Sequence, residues 1–366
     1  MVGHSRHSAH TETSNWKRRI APHDMRQDHL RYIACPRCKS SLRLAASSLI
    51  QQDRIIEGTL ACESCNTAYP IVRAVPRFVP LENYASGFGL EWTKHARTQY
   101  DSSTGLPISE ERFFKETRWP RSLAGEVLLE AGSGSGRFTE QAVKTGAIVV
   151  SMDYSYAVDA NYRSNGACDN LLIVQGDILS PPIRPGSVDK CCCLGVLQHT
   201  PDPRKAFSSL VSSVKPKGSL VVDIYKKVPW WKRWYYTKYV VRFFLRGKDP
   251  EHLYRWCEKY ITFMWPVSRF FSRLPFGLQI NWFFLVADYR GVYNLTEQQL
   301  KEWALLDTFD MLAPVYDLPQ TLTAFRRWFF EEGLEEIDVH YGYNGIEGRA
   351  TVPDRPATKD APVCAE

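Results

Sequence analysis

The chain has 366 residues, of which 44% are apolar and 13% aromatic, and its 46 Lys and Arg against 40 Asp and Glu leave a net charge of +6. That length suits about two domains of ~100–200 residues each, and the composition is that of a globular protein with a real core. No run of ~18 uncharged apolar residues could span a bilayer, and so mild a basic balance lends nucleic-acid or anionic-membrane contact only weak support.

Residues 1–28 are polar, rich in His and Ser and without pattern, and read as a disordered tail. They hold no hydrophobic signal core, so the expectation is a soluble, cytoplasmic protein. Residues 29–82 form a compact module in which CPRC (35–38) and CESC (62–65) are separated by twenty-three residues. Each C-x2-C turn can put two thiolates on one ion, and four thiolates make a closed tetrahedral site. Cys35, Cys38, Cys62 and Cys65 are therefore the candidate ligands of a structural Zn2+. The gap slightly exceeds the usual ~15–20 residues, which a strand hairpin across LRLAASSLIQQDRIIEGTLACESC accommodates. A redox C-x-x-C is the minor alternative, disfavoured because two pairs occur together outside the parallel-sheet region. The module resembles the zinc-ribbon proteins that activate tRNA and protein methyltransferases, including the trailing YPI and proline turns of YPIVRAVPRFVP. A module this small buries too little surface to fold unaided, so the metal supplies much of its stability.

Residues 83–120 read as helical connectors with aromatics, split by the turn DSSTGLP. From Glu126 strands alternate with helices: VLLEAG, then the helix RFTEQAVKTG, then the strands AIVVSMDYS, LLIVQGDI, KCCCLGVL and GSLVVDIY. Short apolar strands in this rhythm predict a parallel sheet covered by helices on both faces. Cys191, Cys192 and Cys193 are neighbours in one such strand, face alternate sides and cannot pair with one another. A reducing compartment is the simpler reading. After this core (121–227), an aromatic and basic insertion of mainly helical character occupies 228–319, and the core is completed over 320–352. There the helix QTLTAFRRWFFEEG precedes EEIDVHYGY and GIEGRATV, a hairpin closed at Asn344-Gly345. Residues 353–366 are a tail.

Three templates compete for the turn in VLLEAGSGSG. A P-loop needs Lys-Ser/Thr after its last glycine, where Arg137 and Phe138 stand, and the dinucleotide fingerprint needs a glycine at 137. Gly132, Gly134 and Gly136 instead spell G-x-G-x-G behind Glu130, and here the chain resembles the class I S-adenosylmethionine (SAM)-dependent methyltransferases. Glycine lets a backbone approach an amino acid and a ribose closely, and a carboxylate at 130 suits the cationic side of SAM. A tight strand-to-helix turn with no ligand is the alternative. Asp153 ends the second strand, where the doubly wound fold presents a carboxylate to ribose hydroxyls. Asp177 matches the family position that accepts from the adenine amino group, with Tyr154 and Ile178 placed to cover ribose and adenine. Three acids at successive strand ends thus describe one nucleoside cleft. The resemblance implies an α/β fold: a doubly wound, seven-stranded Rossmann-like sheet with an antiparallel last strand, the zinc ribbon in front and the helical insertion within.

CLGVLQHTPDP, after the fourth strand, resembles the small-molecule branch of that family. His199 can serve there as general base, or it can simply cap the turn or bond a backbone carbonyl. Along 236–246, Tyr236, Val240, Phe243 and Phe244 share a helical face opposite Lys238, Arg242 and Arg246, just after Trp230, Trp231 and Trp234. This suits either peripheral membrane contact through 230–246 or a lid whose apolar face packs on the enzyme with its basic face in water. The lid is preferred, because aromatic stripes at helical spacing are usually core. Asp307, Asp310, Tyr316 and Asp317, in a stretch that reads as loop-like, are acceptor-pocket candidates. Trp92, Arg97 and Gln99 are candidates to close over the cofactor. The reading is methyl transfer from SAM to an oxygen, nitrogen or carbon of a small or carrier-linked metabolite. Its rivals are an RNA methyltransferase, set back by the absence of an N/D-P-P-Y/F signature and of a phosphate-tracking basic stripe, and a non-catalytic scaffold with a vestigial SAM fold.

Overall fold

The computed structural model describes residues 25–46, 48–51, 54–80, 83–229, 237–245 and 248–354. Expectations for residues 1–24, for Trp230, Trp231, Trp234 and Tyr236, for Arg246 and for the tail beyond 354 lie outside the described residues.

The N-terminal module is a small antiparallel sheet. β1 (Met25–Arg26), β2 (Leu42–Leu44) and β3 (Leu49–Gln51) all pair with the long β4 (Arg54–Cys62), followed by β5 (Ala68–Val72) and β6 (Val75–Pro76). The chain between the cysteine pairs therefore folds as β2 and β3 laid against β4, with Cys62 opposite Leu42. The module is joined to the rest of the chain by backbone bonds. Ile33 bridges Ile183, Arg77 bridges Gln175, and the Phe78 amide donates to the Gln175 carbonyl at 2.9 Å.

Three helices follow: α1 (Ser86–Lys94), α2 (Asp101–Thr104) and α3 (Ile108–Thr117). The expected turn DSSTGLP contains the single helical turn α2, because the Asp101 carboxylate caps the Ser109 and Glu110 amides of α3 at 2.8 Å each. Next come β7 (Val127–Ala131), α4 (Thr139–Lys144), β8 (Ile148–Asp153), α5 (Val158–Asn165), β9 (Leu171–Gln175), β10 (Val188–Cys193), α6 (Pro203–Ser213) and β11 (Val214–Ile224). The insertion carries α7 (Thr237–Leu245), α8 (Pro250–Phe271), α9 (Gly277–Phe283) and α10 (Glu297–Leu312), and α11 (Leu322–Glu331), β12 (Glu335–Gly342) and β13 (Gly345–Thr351) end the fold.

The large sheet has the order β12-β13-β11-β10-β7-β8-β9. β7 to β11 run parallel, and β13 enters antiparallel between β11 and β12, as expected for the last strand. The final hairpin pairs Gly342 with Gly345, so its two-residue loop is Tyr343-Asn344 rather than Asn344-Gly345. All five residues of β7 and of β9 are buried, as strands covered on both faces must be. Strand alternation sends Cys191 and Cys193 into the core shared with α6, α11 and the N-terminal module. Cys192 enters the opposite core with Phe113, Phe138 and Val158. The module also covers β9, an edge strand whose unpaired N–H and C=O groups would otherwise invite another chain.

Two expectations for the insertion are corrected. EWALLDTFDML is helical as far as Leu312, not loop-like. Its start is set by a capping box between Thr296 and Gln299. Its buried residues, among them Leu300, Trp303, Leu306, Phe309 and Leu312, spread around much of the helix, so the apolar stripe that would betray a helix in sequence is blurred. The second correction concerns α7, which is turned the opposite way from a lid packed by its apolar face. Phe243 is 79% and Phe244 71% exposed, while the side chains of Lys238 and Arg242 are only 20% and 15% exposed and both approach Asp317. Leaving each phenylalanine out forgoes roughly 1.5–3 kcal/mol of burial. The Arg242–Asp317 pair, at 2.6 Å, holds the helix this way round. No helix among the described residues is long and apolar enough to cross a membrane.

Candidate active site and cysteine centre

The C-terminal ends of β7, β8, β9 and β10 open on a cavity of about 810 Å3, walled further by α1, α7, α9 and α10. Open α/β sheets take ligands at this rim, and the volume is that of a small-molecule site.

Gly132 and Gly134 line the cavity. All three glycines of the turn have left-handed backbone, with φ of +83°, +53° and +95°, a region that side chains disfavour. The reason for each differs. A Cβ on Gly132 would lie 2.2 Å from Val196, and one on Gly136 would lie 2.1 Å from the Asn161 side-chain oxygen. Those two are glycine because the protein packs against them. A Cβ on Gly134 would meet the Trp92 indole at 3.0 Å, at the point where the turn, the cavity and α1 come together.

Asp153 also lines the cavity. It accepts from the Gly134 amide at 2.8 Å, the Ser155 amide at 2.8 Å and the Ser155 hydroxyl at 2.7 Å. Burial raises its carboxyl above the ordinary value against the pull of those donors. Tyr154 and Ile178 complete this end of the wall, and Tyr84 stacks on Tyr154 with ring centroids 4.7 Å apart.

The other two carboxylates do not line the cavity themselves, although Asp177 acts electrostatically on Tyr84 and Tyr154 of its wall. Glu130 is buried beneath the turn, where one carboxylate oxygen accepts from Thr139 and Ser151. Its second oxygen has no partner among the described residues. Asp177 folds back to cap the Leu179 amide at 2.8 Å and lies on a separate small cleft with Pro36, Arg37 and Phe78 of the N-terminal module. Gly136 is likewise off the cavity wall, hydrogen bonded through its carbonyl to Asn165 at 3.0 Å.

Burial pushes Glu130 up to about 7, from about 4.3 in an unfolded chain. The native state then binds the proton more tightly, so this residue's contribution to stability is greatest below pH ~4.3 and is lost as pH rises towards ~7. Glu130→Gln removes the ionisation. Its melting temperature relative to wild type should rise between about pH 5 and about pH 8, and parallel thermal melts at the two pH values check this.

His199 ends a short 3-10 turn, is buried and lines the cavity. Its Nδ1 lies 3.0 Å from the Tyr316 carbonyl. A carbonyl only accepts, so Nδ1 holds the proton and the lone pair of the neutral ring is on Nε2. The bond that anchors the ring to the backbone carbonyl thus also sets its tautomer. Phe88 and Tyr225 flank it with centroids 5.2 and 5.4 Å away.

Of the other candidates, Trp92, Gln99, Asp307 and Asp310 line the cavity. Arg97 instead donates to the Ser102 and Ser103 hydroxyls, Tyr316 offers only its carbonyl to His199, and Asp317 is taken by Arg242. Sequence reasoning missed Glu91 of α1. It is fully buried on the cavity wall, neither carboxylate oxygen has a partner among the described residues, and burial beside Asp310 and Asp307 holds its carboxyl well above the usual range. Burial likewise lifts Asp307 to about 7. The aromatic part of the wall (Tyr289, Tyr293, Trp282 and Trp303) was also missed, and it comes from the insertion. One signal was available: in GFGLEW a Cβ on Gly89 would lie 2.4 Å from the Tyr156 ring, so that glycine marks where α1 closes onto the sheet.

In the N-terminal module the Sγ atoms of Cys35, Cys38, Cys62 and Cys65 all lie within 4.8 Å of one another. Cys35 and Cys65 are 3.6 Å apart and Cys38 and Cys62 3.4 Å. A tetrahedral ion with Zn–S bonds of ~2.3 Å asks for roughly 3.8 Å between sulfurs, so the donor set fits one ion. The Tyr69 hydroxyl, 3.1 Å from Cys35, and the Thr67 hydroxyl, 3.2 Å from Cys65, can donate to thiolates.

Comparison with known proteins agrees with this division. Residues 129–222 match the model of the methyltransferase domain and residues 26–73 that of Trm112p-like proteins. The chain is 30% identical over 105 residues to the ubiquinone biosynthesis O-methyltransferase of Cupriavidus pinatubonensis, covering 28% of this chain and 42% of that one. It is 29% identical over 127 residues to the mitochondrial ubiquinone biosynthesis O-methyltransferase of Schizosaccharomyces pombe, covering 33% and 44%. The chain thus spans less than half the length of these relatives. Among solved structures, an O-methyltransferase family 2 protein of Planctomyces limnophilus in complex with apigenin aligns at 13% identity and a TM-score of 0.38, over 73% of this chain and 61% of that one. The chain joins a Trm112p-like zinc-ribbon module at residues 26–73 to a methyltransferase domain at residues 129–222.

Proposed function

We propose that this protein is a SAM-dependent methyltransferase that methylates a small or carrier-linked metabolite, with an oxygen as the favoured acceptor atom. The observation that carries the reading is a single open-mouthed cavity in which the Gly134 turn and Asp153 stand at one end and an acid- and aromatic-lined wall at the other. The curated relatives are named as O-methyltransferases, which favours oxygen over nitrogen or carbon.

SAM supplies an activated methyl group on a sulfonium. Gly132, Gly134, Asp153, Tyr154 and Ile178 would hold it, with Glu130 and Gly136 supporting the turn from behind and Asp177 fixing the loop that presents Ile178. Direct displacement asks chiefly for alignment and exclusion of water, and the aromatic wall from the insertion excludes water. His199, through Nε2, would take the proton of an acceptor hydroxyl. His199→Ala should then lower turnover by about 100-fold or more while SAM affinity stays unchanged; near wild-type turnover with SAM still bound removes the base role.

The four cysteines would hold a structural Zn2+, since a closed set of four thiolates leaves no position for substrate. The Trm112p-like module would act on its own methyltransferase domain, a reading supported by the backbone bonds that tie it to β9 and the following loop.

Incubation of the purified protein with methyl-labelled SAM and a cell extract, followed by partition into RNA, protein, lipid and small-molecule fractions, tests the function. Label in small molecules or lipids supports it, whereas label in RNA revives the nucleic-acid alternative. Absence of SAM binding in calorimetry would favour a scaffold instead.

A further inference from the structure

The outward face of the insertion is apolar to an unusual degree for a surface. On α8 one side is buried through Leu253, Cys257, Ile261 and Met264. A second side carries Trp256, Phe263 and Phe270 at intervals of seven residues, all three exposed. The stripe continues through the exposed Leu274 and Phe276 to Phe283 and Phe284 at the end of α9. α7 joins it there, since the Thr237 hydroxyl donates to the Phe283 carbonyl at 2.5 Å, and adds Phe243 and Phe244. α8 and α9 thus present an aromatic stripe, and α7, with its cations turned inward, exposes Phe243 and Phe244 as well.

Beside the aromatic stripe the nearest exposed charges are cationic, and the exposed Glu258 of α8 lies further round the helix. From Lys259 to Ala287 the only charged residues are Lys259, Arg269 and Arg273, and all three are exposed. On the α8 wheel, at about 100° per residue, Arg255 and Lys259 lie beside the aromatic stripe rather than opposite it, while Arg269 lies further round, on the side of Glu258. An aromatic face bordered by long cationic side chains is complementary to an anionic lipid interface, where rings enter the acyl boundary and cations meet phosphates.

We infer that the face formed by α7, α8 and α9 docks on an anionic membrane surface. Trp282 and Phe283 belong to both the exposed face and the cavity wall, so docking sets the cavity mouth against the lipid. The acceptor it admits is then an amphiphile that need not leave the bilayer. The docking itself does not depend on methyl transfer, and its test involves no cofactor.

The test is co-sedimentation of the full chain with vesicles of phosphatidylcholine alone or mixed with phosphatidylglycerol. Wild type should pellet with the mixed vesicles and much less with the neutral ones, and added salt should release it. Two double variants separate the contributions: Phe263→Ser with Phe270→Ser, and Arg255→Glu with Lys259→Glu. None of these residues lines the cavity. Each pair should weaken partitioning by about tenfold or more, with SAM affinity and melting temperature unchanged. The inference is overturned if wild type stays in the supernatant with anionic vesicles, or if both variants pellet like wild type. It is also overturned if light scattering shows a dimer that Phe263→Ser with Phe270→Ser converts to monomer, because a second copy would then cover the face.

Discussion

Cys62→Ser, or removal of the metal from wild type with a strong chelator, should unfold the N-terminal module while the seven-stranded sheet stays folded, leaving a thermal transition of reduced enthalpy from the sheet alone. Structural zinc in small modules contributes about 10–16 kcal/mol of apparent binding free energy, against ~5–15 kcal/mol for the net stability of a whole domain. Loss of the ion therefore removes more than the module can supply from its own few buried residues. Hydrogen exchange should show protection lost over residues 25–78 and kept in β7 to β11, and metal analysis of the intact protein should give about one zinc per chain. The effect should reach the active site. Pro36 and Phe78 pack beside Asp177, and Phe78 binds the last residue of β9, so cofactor affinity should also fall, by roughly tenfold if about one hydrogen bond's worth of positioning is lost. A module that keeps its exchange protection without metal would refute the structural-zinc assignment.

Asp153→Ala should have the largest effect on cofactor binding. The carboxylate already organises the turn by accepting from Gly134 and Ser155, and it lies on the cavity wall at the strand end where ribose hydroxyls are held in doubly wound folds. Hydrogen bonds to a charged group contribute about 1.5–3 kcal/mol each, so losing two hydroxyl contacts implies a loss of roughly 100-fold or more in SAM affinity. Asp153→Asn keeps one acceptor oxygen and should lie between the two. Titration calorimetry on variants first shown to melt near the wild-type temperature separates lost binding from lost fold. Unaltered affinity in Asp153→Ala would place the ribose elsewhere.

Glu91, Asp307 and Asp310 give the cavity wall opposite the glycine turn an electrostatic character that no stretch of sequence announces. They come from α1 and α10, which are far apart in the chain and meet only across the cavity. Burial keeps Glu91 and Asp307 protonated further up the pH scale than ordinary carboxylates, so this wall gains negative charge as pH rises through neutrality.

The sequence by itself determined whatever rests on local period and spacing. Unbroken apolar strands between helices require a sheet covered on both sides, three left-handed positions at Gly132, Gly134 and Gly136 require glycine, and two C-x2-C turns bring four thiols within reach of one ion. The tertiary structure decided which side chains converge. Glu130 and Asp177 stand at the expected strand ends, yet one oxygen of Glu130 accepts from Thr139 and Ser151 and one of Asp177 from the Leu179 amide, and spacing along a chain cannot reveal those local bonds. The same holds for α7. Its two faces are legible in the sequence, but which of them turns inward depends on Asp317, 75 residues beyond Arg242. Periodicity describes an element alone, whereas orientation and convergence are energies between elements, and those exist only once the chain has folded.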